Sequence, residues 1–243
     1  MKAPEAPGKL TKTEKAYLAL KKAILRGEIE EGTFLVEPVI MSQYRLGRTP
    51  YREACNRLLH ERLLEAVPRR GYLVPEFSYQ AVSAIFETRL IVEAAIAELA
   101  CVRATEQDLD DLQRLAGRPP QSGNHEQDFA RLIQANTDFH LRLAKITRNR
   151  ELVELLARNL DKTERLMYIE LRGSGFRDTE FKLLHSRIVD ALRTRKPERA
   201  REAVLHDIVE AQRATLRFGK HWPATLSPAD TLDAASPPPL IPA

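Results

Sequence analysis

From Phe77 to Phe218 the apolar residues recur at the three-to-four-residue spacing of an amphipathic helix, and no alternating strand pattern interrupts them. A chain with that pattern over most of its length must bury its apolar stripes helix against helix, so a sheet-based architecture is excluded for this region. The periodic stretches predict helices over 77–103, 106–116, 126–146, 150–171, 178–194 and 197–218. Gly, Pro and Ser breaks mark their ends: GRPPQSGN, the Arg148-Asn149 step, RGSGF and Lys196-Pro197. Residues 76–220 therefore read as an all-helical antiparallel bundle. Beyond it, residues 221–243 form a Pro-rich tail that reads as disordered: 6 of the chain's 15 prolines follow Trp222.

The first 75 residues have a different grammar. Residues 1–9 read as a flexible arm. Thr11-Lys12-Thr13-Glu14 has the capping-box form, and it opens a helix with Ala16, Leu20, Ala23 and Ile24 on one face and Gly27 at its end. A short second helix is expected from Glu37 to Tyr44, with Pro38 tolerated in its first turn. A third follows Gly47, with Tyr51, Cys55, Leu58 and Leu59 inward. The segment AVPRRGYLVPE then reads as a small β-hairpin. Helix, short helix, turn, helix and hairpin over 10–75 make a winged helix-turn-helix. The chain as a whole is expected to be mainly α.

Charge separates the two parts. Residues 1–75 carry 14 Lys/Arg against 9 Asp/Glu, and the remainder carries 24 against 25, consistent with the net +4. The basic excess belongs to the first part, as expected of a module that faces a polyanion. No stretch of 18 uncharged apolar residues exists, which excludes a membrane-spanning helix. The N-terminus lacks the apolar run of a signal peptide, and Cys55 and Cys101 stand 46 positions apart without a metal-knuckle spacing. A reducing cytoplasm is the expected compartment.

The third helix carries recognition chemistry. Arg48, Arg52 and Asn56 follow one another at four-residue steps and form a polar stripe opposite the apolar face. Arginine donates twice to guanine O6 and N7, and asparagine pairs with adenine N6 and N7. Thr49 lies at the helix N-terminus, where a hydroxyl donates to phosphate. Gly71 at the hairpin tip lets the backbone approach a groove, and Arg70 beside it suits phosphate or the minor groove.

The bundle carries polar residues on apolar faces. Asn136 and His140, one turn apart, share a face with Phe129, Leu132, Ile133, Phe139 and Leu143. His185 lies among Leu184, Ile188 and Leu192, and His206 near Ala203, Ile208 and Val209. Three histidines and an amide facing inward from three helices invite a metal, because neutral imidazole is the commonest protein metal ligand and bundle cores host such sites. The alternative is a set of hydrogen-bonded core histidines. His60, His125 and His221 fall in polar settings and read as surface residues.

The stretch LALKKAILRGEIEEGTFLVE, followed by RLGRTPYREACNRLLHERLLEAVPRRGYLV, resembles the DNA-binding domain of the GntR family of bacterial regulators. The run Arg48-Thr49-Pro50-Tyr51-Arg52-Glu53-Ala54 is its most specific part, and Ile24, Gly27, Gly32, Leu35, Gly71 and Val74 fall in step. The resemblance implies DNA contacts for Arg48, Thr49, Arg52 and Gly71. The chain departs from the pattern at Gly47, where a Ser or Thr is usual, at Pro38, and at Arg45 and Arg62, where glycine is usual. Arg45 adds a candidate cationic contact.

The segments FETRLIVEAAIAELA, NTDFHLRLAKITRNREL and LLHSRIVDALRTRKPERAREAVLHDI resemble the all-helical effector-binding FCD domain of the FadR branch of that family. Its patterns are "EvRxxlE", "DxxFHxxLxxxsxNxxL" and "HxxIxxAixxxDxxxAxxxmxxHi". The resemblance implies a divalent ion of the Zn, Ni or Mn class held by Asn136, His140, His185 and His206. Asn136 stands where the metal-binding members have Asp, and a neutral amide oxygen ligates more weakly than a carboxylate. Arg89 matches the Arg of the first pattern. It is a candidate clamp for an effector carboxylate, or else an ion-pair partner for Glu93 at i+4.

The expected protein is a transcriptional regulator, in the main a repressor, and not an enzyme. It would bind a palindromic double-stranded operator as a homodimer, because one recognition helix reads one half-site. A small organic or sugar acid would control it, and no membrane is involved. Two other functions remain open on the residues alone. A metal-dependent hydrolase would use the His cluster to activate water. A nonspecific architectural DNA-binding protein would show a salt-sensitive affinity with little sequence preference.

Overall fold

A computed structural model describes residues 10–117, 122–174 and 184–218. They fall into two compact units that divide between Glu76 and Phe77. The expected arm and tail lie outside the described residues.

The first unit opens with α1 (Lys12–Leu25). Thr11 and Glu14 form the expected capping box: the Thr11 hydroxyl accepts from the Glu14 N–H, and the Glu14 carboxylate accepts from the Thr11 N–H. Gly27 then adopts φ +66, a left-handed turn that glycine makes without a Cβ penalty. β1 (Phe34–Leu35) precedes α2 (Glu37–Gln43) and α3 (Arg48–His60). β2 (Glu65–Val67) and β3 (Gly71–Leu73) form the hairpin. β3 is central and pairs antiparallel with both others, Leu73 opposite Phe34 on one side and Glu65 on the other. β1 was not expected, because two residues are too few to show an alternating pattern. The core forms where α1 packs on α3: Ala16, Leu20 and Ile24 meet Tyr51, Ala54, Cys55 and Leu58.

The second unit is helical, as its period requires. It contains α4 (Tyr79–Arg103), α5 (Glu106–Leu115), α6 (His125–Ile146), α7 (Arg150–Ser174), α8 (His185–Arg193) and α9 (Pro197–Phe218). The helix expected from 178 begins at His185 among the described residues; 178–183 lie outside them. α4 is apolar around most of its circumference, so it becomes the central helix, packed most extensively on α9 and also on α6, α7 and α8. Two charged residues, Arg89 and Glu93, are nonetheless fully inside it. Among the described residues no helix is long and apolar enough to cross a membrane.

Among the described residues, four helices end on an arginine in left-handed geometry. Arg45, Arg62, Arg148 and Arg195 follow α2, α3, α6 and α8 with φ between +51 and +58. Each N–H bonds back to a carbonyl of the last helical turn, for example Arg62 to Leu59 at 2.9 Å. Leu63 then bonds to Leu58 at 3.0 Å, closing a Schellman-type end. The termini are satisfied, but a non-glycine residue there costs about 1 kcal/mol.

Candidate functional site

In the first unit the sequence-predicted residues gather on an exposed surface. Arg45, Arg48, Thr49, Arg52, Asn56, Arg70 and Gly71 are all exposed. The apolar face of α3 is locked against α1, and that packing turns the Arg48–Arg52–Asn56 stripe outward. Gly47 is the N-cap of α3 and offers no side-chain hydrogen bond, so the first turn keeps donors available to an anion. The Tyr72 hydroxyl donates to Asn56 Oδ1 at 3.4 Å, linking the wing to α3. Gly71 takes φ +95 at the start of β3. The Arg70 guanidinium stacks 4.0 Å over the Phe34 ring, which holds it beside the sheet. One acidic residue intrudes. Glu37, at the start of α2, accepts from Arg48 Nε at 2.8 Å and approaches Arg52 Nη2 at 3.4 Å.

In the second unit the site is a buried polar cluster between α4, α6, α8 and α9. Arg89 and Glu93, one turn apart on α4, pair through Nε and Oε1 at 2.6 Å. Of the two roles the sequence left open for Arg89, the ion pair is formed. Glu93 Oε2 lies 2.5 Å from Nδ1 of His140, and Asp207 Oδ2 lies 3.3 Å from Nε2 of the same ring. Each His140 nitrogen therefore faces a carboxylate. His185 stacks flat on Phe139 with ring centroids 4.0 Å apart, and both its nitrogens are unpartnered. Arg89 keeps Nη2 unpartnered as well. Buried polar groups in that condition are uncommon and point to a site built for something else.

The electrostatics follow from the charges around each ring. Burial disfavours a charged His140, but Glu93 and Asp207 outweigh it and push its pKa up to about 9. Burial likewise opposes a charged Glu93, yet Arg89 and His140 hold it down to about 2. Burial and the neighbouring His140 push His185 down to about 3, so it stays neutral. The cluster thus balances Arg89 and His140 against Glu93 and Asp207.

His140, His185 and Asp207 each offer a ligand atom, and these atoms lie within 4.8 Å of one another. His206 does not belong to the set. The buried positions of α9 run Ala200, Val204, Asp207, Ile208, and His206 lies about 100° off that face, exposed. Counted residue by residue from His185, the pattern "HxxIxxAixxxDxxxAxxxmxxHi" reaches Asp207, one place beyond His206. That count was the available signal for Asp207. Asn136 is buried one turn before His140 on α6, on the same face. Asp207 is itself held in place: its Oδ1 accepts from the Leu184 N–H at the start of α8, at 3.2 Å.

Comparison with known proteins separates the same two parts. Residues 12–74 match the family described as bacterial regulatory proteins, gntR family, and residues 84–210 match the FCD domain. The chain is 26% identical to YdhC of Bacillus subtilis, an uncharacterised HTH-type transcriptional regulator, over 78% of this chain and 84% of that one. It is 28% identical to the Nta operon transcriptional regulator of Aminobacter aminovorans, over 73% and 81%. The structure of Escherichia coli McbR/YncC superposes with a TM-score of 0.69 at 21% identity, covering 86% of this chain and 99% of that one.

Proposed function

The chain belongs to the gntR family of bacterial regulatory proteins and carries an FCD domain, and from that premise we propose that it is a repressor whose grip on a palindromic operator is controlled by a small carboxylate metabolite. As a member of that family it is a DNA-binding transcriptional regulator. The families and relatives it matches are regulators rather than enzymes, which removes the hydrolase reading.

The proposed half-site reader is α3. Arg48 and Arg52 pair with guanines, Asn56 with adenine, and Thr49, Arg45 and Arg70 with phosphates, while Gly71 admits the wing to the groove. A homodimer supplies the second half-site about one helical turn away. Occupancy of the operator blocks overlapping sites, and an effector that favours the unbound arrangement relieves the block by shifting the population.

The observation that carries the effector reading is the buried cluster with its unpartnered nitrogens on Arg89 and His185. A guanidinium with a free terminal nitrogen suits a carboxylate. The donor set also fits a divalent ion: two imidazoles and a carboxylate within 4.8 Å, with the His185 ring short of hydrogen-bond partners. His140, His185 and Asp207 would hold it, with Asn136 the nearby amide. When bound, such an ion supplies a fixed positive charge for an anionic ligand. Asp207, anchored by Leu184, and His185, stacked on Phe139, are positioned before any ligand arrives.

The test begins with genomic fragments retained by the purified protein at moderate salt. A few enriched fragments sharing a short palindrome are expected, with release on adding one of a panel of small carboxylic acids. Broad recovery without a shared sequence overturns the operator reading. Retention unaffected by every acid overturns the effector reading alone. For the ion, Zn, Ni and Mn titrations are compared between the natural chain and His185→Ala; equal affinities remove the metal from the proposal.

A further inference from the structure

Glu37 is an acidic residue beside a surface assigned to a polyanion. A carboxylate there repels phosphates, so its presence needs a reason. It stands at the first position of α2, half-sheltered, with 29% of its side chain exposed against 69% for Arg48 and 54% for Arg52. Its two oxygens divide between the arginines. Oε1 accepts from Arg48 Nε at 2.8 Å, and Oε2 faces Arg52 Nε and Nη2, each at 3.4 Å. Arg48 and Arg52 lie one turn apart on α3, so a single carboxylate reaches both.

The geometry at Arg48 matters most. Binding through Nε orients the guanidinium and leaves its two terminal nitrogens, for which no partner is seen among the described residues, to meet a base edge. An unrestrained arginine carries much rotamer entropy and reaches phosphates in many conformations. A restrained one has fewer ways to bind the wrong DNA and loses less on binding the right one.

We propose that Glu37 is a positioning residue that sets the operator selectivity of Arg48 and Arg52, ordering them for base contact and suppressing their use as general phosphate ligands. The proposal rests on the reading of the first unit as the operator-binding unit. Glu37 also lies favourably at a helix N-terminus, and that role affects stability rather than selectivity.

The experiment uses the full chain with the enriched operator and a scrambled duplex of equal length, over a series of salt concentrations. For Glu37→Gln, operator affinity is expected to fall about tenfold, while affinity for the scrambled duplex rises a few-fold and its salt slope steepens by about one phosphate contact. Glu37→Asp, which keeps the charge, is expected to restore part of the discrimination. In a double-mutant cycle, Glu37→Gln should add less once Arg48 is Ala, and little once Arg48 and Arg52 are both Ala. Equal loss on both duplexes, or unchanged discrimination, overturns the proposal, and a lowered melting temperature with those results assigns Glu37 a structural role. A natural chain with no enriched operator overturns the operator reading and this proposal together.

Discussion

The Glu37–Arg48–Arg52 group and the Arg89–Glu93–His140–Asp207 group use the same chemistry in opposite surroundings. In the first, water screens every charge, and exposed ion pairs contribute about 0–1 kcal/mol. Glu37 orients the arginines without tying up the terminal nitrogens of Arg48. In the second, Arg89 is 1% exposed and Glu93 0%. There each charge depends on its partner, and removing one strands another in a medium that solvates it poorly. The first group is free to recognise; the second is committed, and its unpartnered nitrogens are the openings through which a ligand could bias it.

That comparison breaks first at Arg89. Arg89→Met leaves Glu93 buried without its main counter-charge, and denaturant unfolding should show a loss of about 3–5 kcal/mol. Adding Glu93→Leu should recover much of it, because the remaining pair is then absent rather than broken. A single-variant loss under about 1 kcal/mol would mean that water reaches the cluster and that it is not committed at all.

The exposed group should respond the other way. Arg52→Ala is expected to cost about 1–3 kcal/mol at the operator and to relax base choice there, with unfolding stability within about 0.5 kcal/mol of the natural chain. Filter binding and denaturation on the same preparations check both halves.

A pH series sharpens the contrast at an intermediate site. The Thr105 backbone N–H, with Arg142 also contributing against some burial, holds Asp108 down to about 2. Its folded value lies below the unfolded one of about 3.9, so the stability it contributes is present above pH ~4 and is lost as pH falls toward ~2. Asp108→Asn should remove about 1 kcal/mol at neutral pH and flatten that acid limb. The same acid limb in both proteins would refute the assignment.

The smallest effect is expected at the αL helix ends. Arg62→Gly, at φ +58 and exposed, should stabilise the chain by up to about 1 kcal/mol, once the entropy glycine adds to the unfolded state is deducted. A destabilised variant would mean that the Arg62 side chain makes a contact worth more than the backbone strain.

Much of the first unit was legible because its signals are local. The Thr11–Glu14 cap, the Gly27 turn and the Arg48–Arg52–Asn56 stripe each depend on residues within a few positions, whereas the Glu37 contact to Arg48 and Arg52 comes from another helix and left no local signal. The two-residue β1 was invisible because its pairing partner, β3, supplies the order that two residues cannot. In the second unit, the sequence determined the helices and the inward faces of His140 and His185, since helical period follows from apolar spacing alone. It left Arg89 between two roles and placed His206 in the cluster. The tertiary structure decided the role of Arg89, and it showed that Asp207, which the residue count from His185 also reaches, is the residue that faces inward. Arg89 meets Glu93 because both are enclosed in the central helix, where an unpaired charge is untenable. Asp207 replaces His206 because the rotation of α9 is set by packing Ala200, Val204 and Ile208, and a shift of one residue turns a side chain by ~100° from the core to the solvent.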